Sequence, residues 1–364
     1  MSRQGTVSNG QLAVLFFSFV TGSSIINVPG PLIAYAQNGA WISLLASSML
    51  GIALLSVILF LHQRNKEFTL IDYSRKATGN IATVLLLLPY IFYLLLMVTW
   101  IVMDVGAFMT STMMRDTPSY VFHFLVLVTA AMTVRAGIEV MVRMFVLYTG
   151  LMIGFVFIVL LLSVGYYQPI HLLPVMPDGI KPVLMGTYFT LGFPYAEMTV
   201  FAMLLPYVRK QASSRLAKYM YAALGLNIML LLVTTLCTLM LFGPLATDLK
   251  YPLFAISRVI DFADFLQRIE SVVGVSLIAS SYMKGTIALF VLNLVISRLF
   301  KLDNDRVLVY PIAMLSFMLS LAMFITQAEQ TKYVSMYWPL INVSFALLPF
   351  LVIVVFSLFK SQQS

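Results

Sequence analysis

Three ionisable side chains, Asp104, Glu197 and Lys284, lie within long apolar stretches of the sequence. Because a charge at the centre of a bilayer costs at least about 2.5 kcal/mol, each should face the interior of the protein or a cavity. Glu197 could carry a proton or pair with Lys284, whose ammonium could occupy the place of a coupling cation. The alternative is a buried ion pair that only fixes helix packing. Asp104 lies nearer the end of its stretch. A position in a water-exposed vestibule explains its charge as well as a functional role does.

Glycine and proline interrupt two of the apolar stretches. One contains Thr21-Gly22-Ser23-Ser24 followed by Pro29-Gly30-Pro31, and the other contains Leu191-Gly192-Phe193-Pro194-Tyr195. Glycine weakens a helix and proline removes a donor, so a break in hydrocarbon survives only beside a cavity or a ligand. The N–H groups after Gly22 could bind a carboxylate, and the carbonyls before Pro194 could accept hydrogen bonds from an ammonium. This arrangement favours an amino acid as the ligand; a proline kink or a close helix crossing is the alternative.

The stretch that contains Asp104 also carries large side chains at helical spacing. Tyr93, Met97 and Trp100 follow an i, i+4, i+7 pattern, which places them on one side of a helix. The pattern is compatible with one wall of a ligand pocket, and plain aromatic packing is the alternative interpretation.

The composition places these residues in membrane-spanning helices. Of the 364 residues, 61% are hydrophobic and 10% are charged, and the mean hydropathy is +0.96. A soluble domain carries about 25% charged residues, so a soluble enzyme, a disordered chain and a nucleic-acid-binding domain are excluded. A bilayer core about 30 Å thick requires roughly 20 apolar residues per helix. The sequence therefore predicts an all-α polytopic membrane protein with ten transmembrane helices: Gln11–Ala36, Ala40–Leu61, Ile81–Thr112, Ser119–Val134, Val142–Val164, Pro182–Val208, Tyr219–Phe242, Ser271–Phe300, Val307–Ile325 and Tyr337–Leu358.

The two interruptions occupy corresponding positions in the two halves of the chain. Gly22 and Gly192 are 170 residues apart, and each lies in the first helix of a five-helix half. Paired breaks of this kind are typical of inverted-repeat transporters, whose substrate binds between the broken helices near the midplane. We therefore expect one permease-like domain over residues 1–364, a 5+5 inverted repeat with halves at about residues 11–164 and 182–358.

The positive charges indicate the orientation of the spans. With the N-terminus in the cytoplasm, fifteen of the 22 lysines and arginines lie in inner segments and six in outer segments, so both termini are predicted to be cytoplasmic. The amphipathic segment Tyr251–Glu270 is expected to lie flat on the outer surface or to cap a vestibule, and Phe68–Tyr73 is expected at the inner surface. Gly150 and Gly154 have the spacing of a GxxxG helix contact.

Motifs that would indicate an enzyme are missing from the sequence. It contains no HExxH, Walker A or G-x-S-x-G motif. The three histidines, His62, His123 and His171, lack the spacing of a metal site, and the single cysteine, Cys237, has no partner for a disulfide. We therefore expect neither enzymatic activity nor a metal ion or other cofactor.

Several local segments resemble those of the B subunit of bacterial spore germinant receptors, a family within the amino acid–polyamine–organocation superfamily. The resemblance covers the whole length, including ten spans with breaks in spans one and six. Its most specific match is Phe193-Pro194-Tyr195-Ala196-Glu197, where family members commonly have glycine in place of Ala196. The other matching segments are Thr69-Leu70-Ile71-Asp72-Tyr73, Leu205-Pro206, Tyr251-Pro252-Leu253, Arg268-Ile269-Glu270 and Lys284.

The resemblance implies a receptor subunit. Members of this family are similar in fold to amino acid permeases, and they are thought to sense nutrients in the spore inner membrane beside a larger A subunit and a lipoprotein C subunit. Binding of an amino acid would shift the transporter-like helices and pass a signal to these partners. The pocket that the resemblance implies consists of Gly22, Ser23 and Ser24 in the first span with Gly192, Phe193, Pro194 and Glu197 in the sixth.

A working secondary transporter is the alternative. It would couple an amino acid or a similar amine to protons through Glu197, and the paired breaks favour it because sensing alone does not require them. A ligand-gated ion channel is a third possibility, for which the sequence shows no selectivity ring.

Overall fold

The chain folds into a bundle of helices in this computed structural model, which describes residues 5–209, 215–260, 269–302, 304, 306–323 and 326–360. Within these residues the only strand-like pairing is a single parallel bridge between Val7 and Val208. The α-helices are α1 Asn9–Thr21, α2 Ser24–Asn27, α3 Pro29–Ala36, α4 Ala40–Arg64, α5 Leu70–Thr78, α6 Asn80–Thr112, α7 Ser119–Ala136, α8 Ile138–Leu162, α9 Ile180–Thr190, α10 Leu216–Phe242, α11 Pro252–Val259, α12 Ile269–Leu299, α13 Val309–Ala322, α14 Gln327–Met336, α15 Trp338–Asn342 and α16 Leu348–Lys360.

Eight helical segments among the described residues are long and apolar enough to cross a membrane. The predicted count of ten spans is therefore not reproduced by helix length and composition, for two local reasons. The sixth predicted span is divided into short segments of different helical type, and the helix of the ninth, α13, has only 14 residues. The predicted end of the ninth span, Ile325, lies outside the described residues.

The fifth span begins four residues earlier than the sequence predicts. Its helix α8 starts at Ile138 because Gly137, with φ of 96°, reverses the chain in a single residue after α7. That backbone conformation favours glycine. The first turns of α8 carry Glu139 and Arg143, so a prediction based on apolar residues alone places the start of this helix too late.

The predicted GxxxG contact is wrong within this chain. A methyl group added at Gly150 or at Gly154 would meet nothing within 4 Å among the described residues, so no neighbouring helix packs closely against either position.

The first span, α12 and the broken part of the sixth span, residues 192–203, lie inside the bundle, and most of the other spans are more exposed. The first span and α12 are mostly buried, with 83% and 72% of their most apolar stretches inside the protein, whereas the value for α8 is 28%. Helix α12 packs against α1, α6, α7 and α8, and α1 packs against α8 and α10. The broken first span and the helix that carries Lys284 therefore form the centre of the protein.

One end of the bundle, called the inner end below, is closed by the segment that precedes α1. The Val7 amide donates to the Tyr207 carbonyl at 3.0 Å, and the Arg209 amide donates to the Val7 carbonyl at 3.1 Å. The Thr6 amide donates to Oε1 of Glu139 in the first turn of α8 at 3.0 Å. This segment therefore ties the end of the sixth span to the start of the fifth.

Helix α5, which begins at Leu70 within the predicted Phe68–Tyr73 segment, packs at the inner end against α6 and α16. Its Arg75 guanidinium donates to the carbonyls of Arg298 and Leu299 at 3.1 and 2.9 Å, and these carbonyls belong to the last turn of α12. Since the last carbonyls of a helix have no partner within it, Arg75 caps the inner end of α12.

The predicted amphipathic segment Tyr251–Glu270 is described only in part, because residues 261–268 lie outside the described residues, as do Arg3 and Lys210 of the charge count. Helix α11 does not lie flat on the surface: its Leu253, Phe254 and Ile256 are buried against α8, α10 and α12. A cavity at the end of the bundle away from Val7, called the outer end below, is lined by residues 247–250 just before this segment and by no described residue of the segment itself, so the expected vestibule cap stays a prediction.

Candidate functional site

The first span is broken at Gly22, and neighbouring helices satisfy part of the freed backbone. Helix α1 ends at Thr21 and α2 begins at Ser24. The Gly22 carbonyl accepts a hydrogen bond from Oγ of Ser280 on α12 at 2.9 Å. The Thr21 hydroxyl accepts one from Nδ2 of Asn227 on α10 at 3.0 Å. The break is thus held by side chains from the seventh and eighth spans.

The sixth span is broken at Phe193. A π-helical turn over Leu191–Tyr195 follows α9, and a 3-10 helix continues over Ala196–Met203. Phe193 has φ of −138° and ψ of 109°, which is extended rather than helical backbone. The predicted break is therefore present, and it places Glu197 at the beginning of the second half of the span.

Both predicted glycines lie where helices cross closely. A Cβ atom on Gly22 would lie 2.6 Å from Cβ of Lys284 and 2.8 Å from the Ser280 carbonyl oxygen. A Cβ atom on Gly192 would overlap Pro339 at the start of the tenth span. Since such distances leave no room for a side chain, these glycines allow the broken spans to pack against α12 and α15.

Lys284 and Glu197 form a buried ion pair between the two halves of the site. Lys284 Nζ lies 2.5 Å from Glu197 Oε2, and both side chains are 1% exposed. Trp338 Nε1 donates to the other carboxylate oxygen, Oε1, at 2.9 Å. The ammonium also lies over the Phe193 ring, 4.5 Å from its centroid. A charge in the bilayer is tolerated when it is paired in this way.

An aromatic cluster covers the ion pair on the side of α6. The Tyr93 ring stacks on Trp338 with centroids 5.5 Å apart, and Trp100 approaches Trp338 at 4.4 Å. Tyr333 of α14 meets Trp100 edge-on at 5.0 Å. Of the predicted face, Met97 and Trp100 line the space at the centre of the site, whereas Tyr93 does not line it and packs against Trp338 of the tenth span.

The space at the centre of the site is small. A cavity of about 20 Å³ lies between Ser23, Met97, Phe193 and the ion pair, with Asp104 at its outer edge. This volume holds about one water molecule. A ligand at this position requires Trp100, Val334 and Trp338, which also line the space, to move apart.

The remaining predicted residues are buried next to this space without lining it. Ser24 Oγ donates to the carbonyl of Val20 within its own span at 2.6 Å. Pro194 is buried within the π-helical turn, and Gly22 and Gly192 occupy the helix contacts described above. Of the predicted residues, Ser23, Met97, Phe193, Glu197, Lys284 and Asp104 therefore surround the small cavity.

A much larger cavity of about 370 Å³ lies between the small cavity and the outer end. Asp104 lines both spaces, and its Oδ2 accepts a hydrogen bond of 2.5 Å from Nδ2 of Asn27. Lys250, in the loop after α10, also lines this cavity. Asn27 and Lys250 were not predicted from the sequence; a polar residue one turn after the break and a lysine beside the amphipathic segment were the available signals.

Metal-binding side chains do not gather at this site or elsewhere in the described part of the chain. Within those ranges, no three His, Cys, Asp or Glu residues lie closely enough together to hold a metal ion.

Together these features define a multi-pass helical membrane protein with a permease-like fold. The solved structure of a Na+-coupled sialic acid symporter superposes with a TM-score of 0.68 at 10% identity, covering 96% of this chain and 80% of that one. MhsT in complex with L-phenylalanine gives 0.67 at 15% identity, covering 97% and 89%. A mutant of the manganese transporter of Eremococcus coleocola gives 0.62 at 12% identity, covering 94% and 78%.

The chain belongs to the spore germination protein family of permeases, whose family model matches residues 6–332. Spore germination protein KB of Bacillus subtilis (strain 168) is 27% identical over 312 residues, which cover 85% of this chain and 82% of that protein. Spore germination protein YndE of the same organism is 24% identical over 194 residues, about half of each chain. The family suggested by the span-six motif is therefore confirmed.

Proposed function

We propose that this protein is the membrane subunit of a nutrient germinant receptor, which binds an amino acid-type germinant and triggers spore germination. The observation that carries the proposal is the buried Lys284–Glu197 pair, which links α12 to the broken sixth span in a member of the germination family. A ligand that separates or reorients this pair would move two spans relative to each other. A ligand changes such an equilibrium only through different affinities for the two arrangements.

In this proposal the germinant binds between the two breaks. Ser23 and Phe193 border the small central cavity from the first and sixth spans, and Met97 borders it from α6. Outward movement of the Trp100 and Trp338 rings would join this space to the outer cavity. The germinant's ammonium and carboxylate would then meet Glu197 and Lys284, whose charges are already opposite and adjacent.

The setting of the receptor follows from the same proposal. The protein would lie in the spore inner membrane with both termini in the cytoplasm, as the distribution of basic residues favours. It would act beside germinant receptor A and C subunits, and it would catalyse no reaction and need no cofactor.

Proton-coupled transport of an amino acid or amine is the second candidate. The observation that favours it is the asymmetry of access: the segment around Val7 closes the inner end, whereas a cavity of about 370 Å³ lies towards the outer end. Alternating access requires a state of this kind, and Glu197 would then be the proton carrier.

Purified protein in proteoliposomes separates the two candidates. Binding and uptake of the twenty radiolabelled L-amino acids would be measured with and without an imposed pH gradient. Saturable binding without accumulation is expected for the receptor. Accumulation that follows the gradient and is lost in Glu197→Gln would instead identify a transporter. If no amino acid binds, even when A and C subunits are co-reconstituted, the amino acid proposal is wrong.

A further inference from the structure

The outer cavity is lined by two side chains of opposite charge. Asp104 lines both this cavity and the central space, and the part of the outer cavity at Asp104 is called its floor below; Lys250 lies on the loop that follows the seventh span. Its volume of about 370 Å³ is within the range of small-molecule sites, roughly 300–1,000 Å³. The cavity is therefore large enough for a ligand as it stands, unlike the central space.

The carboxylate at the floor is held in position. Asn27, which is 8% exposed, donates to Asp104 Oδ2, and this bond joins α6 to the second segment of the first span. Because a primary ammonium carries three donors and no acceptor, a fixed carboxylate that faces a cavity is a suitable partner for it.

The cation in the lining is positioned by its neighbours. Lys250 Nζ lies 5.2 Å from the centroid of the Tyr251 ring, and the Tyr251 ring packs edge-on against Phe108 of α6. Burial lowers the pKa of Lys250, and the nearby Asp104 carboxylate opposes this shift by favouring the charged form. An ammonium held in this way can bind a carboxylate by a charge-assisted hydrogen bond.

The remaining wall is mainly apolar. Asp248 is exposed at the rim, and polar atoms are also supplied by Thr247 and Ser335. The rest of the lining consists of one aromatic residue and of glycine, proline and aliphatic residues: Gly30, Pro31, Ala34, Tyr35, Leu249 and Val334. Such a wall fits a short apolar side chain better than a second charge.

We infer that the outer cavity is a separate recognition site for a zwitterionic α-amino acid with a small apolar side chain, whose ammonium binds Asp104 and whose carboxylate binds Lys250. The inference rests on the proposed function for the class of ligand, but it places the first contact outside the Lys284–Glu197 pair. A simple amine meets the repulsion of Lys250, and a simple acid meets that of Asp104. The site therefore selects molecules that carry both charges.

Binding of analogues to the full-length protein in lipid nanodiscs tests this site. The probes are the twenty radiolabelled L-amino acids and, for the one that binds most tightly, its decarboxylated amine and its deaminated acid as competitors. Lys250→Met should weaken binding of the amino acid about 10- to 100-fold and should strengthen binding of the amine, because the repulsion between the two ammonium groups is removed. Asp104→Asn, which can still accept the Asn27 hydrogen bond, should weaken binding of the amino acid and strengthen binding of the deaminated acid, because the repulsion between the two carboxylates is removed. Lys181→Met, an exposed lysine outside the cavity lining, is the matched control and should change neither.

Three outcomes would overturn the inference. If both variants bind the amino acid, the amine and the acid equally more weakly than the wild type does, the substitutions only disturb the fold. If Lys250→Met and Asp104→Asn bind the amino acid as the wild type does and Phe193→Ala loses this binding, the outer site is excluded and the proposed function stands. Absence of binding of any amino acid to the wild-type protein would remove both together.

Discussion

Lys284 and Glu197 join the eighth span to the broken part of the sixth through an ion pair of 2.5 Å. The pair is enclosed by the Phe193 ring and by Trp338, which donates a hydrogen bond to the carboxylate. Removal of one partner leaves an uncompensated charge beside a cavity that holds about one water molecule, which costs much more than the pair itself contributes.

Lys284→Met is therefore expected to lower the free energy of unfolding by about 3–5 kcal/mol. Thermal melting of the purified protein in detergent would measure the loss. The double variant Lys284→Met with Glu197→Gln removes both charges and should recover a large part of it. A single variant as stable as the wild type would contradict a buried ion pair.

Gly22→Ala should destabilise the protein even without a ligand. Its Cβ would lie 2.6 Å from Cβ of Lys284 and 2.8 Å from a backbone oxygen, so the first span and α12 must separate, at a cost of about 1–3 kcal/mol. Gly150→Ala is the matched control, because its Cβ would meet nothing within 4 Å. The control should be neutral or slightly more stable, since alanine favours a helix. Equal melting temperatures for the two variants would argue against the close crossing.

A disulfide should form between Val7→Cys and Val208→Cys in a Cys237→Ser background. The two positions form a parallel bridge at the inner end, and neighbouring strands lie about 4.8 Å apart, within the range of Cα distances that a disulfide spans. Peptide mapping after mild oxidation would detect the bond. Each single cysteine variant serves as the control. If the protein transports, oxidation should stop uptake and a reductant should restore it; no disulfide under excess oxidant would show that the inner end is open.

Arg75→Met should weaken the attachment of α5 to the end of α12. The variant loses two hydrogen bonds to the carbonyls of Arg298 and Leu299, and partial exposure limits the expected loss to about 1–2 kcal/mol. Lys76→Met changes the next residue, which is exposed, and should leave the melting temperature unchanged. A loss of equal size in both variants would indicate a general effect of charge rather than the cap.

Much of the fold can be predicted from the sequence because the bilayer imposes simple constraints. Long apolar stretches must be helices, and a charge inside them must find a partner or face a cavity, so a pair between Glu197 and Lys284 is one of the alternatives that the sequence offers. The break at Phe193 follows from glycine and proline by the same reasoning.

Other features depend on packing that the sequence does not display. Whether Gly22 faces a ligand or a neighbouring helix is decided by the position of α12, and it faces Lys284. The cavity that Lys250 and Asn27 share with Asp104 brings together a loop and two spans that are far apart in the chain. Hydropathy also cannot distinguish a span that is one continuous α-helix from the sixth span, which combines α, π and 3-10 segments, because the two kinds of span are equally apolar.

The pairing of Lys284 with Glu197 also has an electrical consequence. An elementary charge that crosses the whole membrane field gains or loses about 2.3 kcal/mol per 100 mV. A rearrangement of the sixth and eighth spans that keeps the ammonium and the carboxylate together moves no net charge through that field. A receptor that switches in this way responds to the concentration of its ligand and is insensitive to the voltage across the membrane.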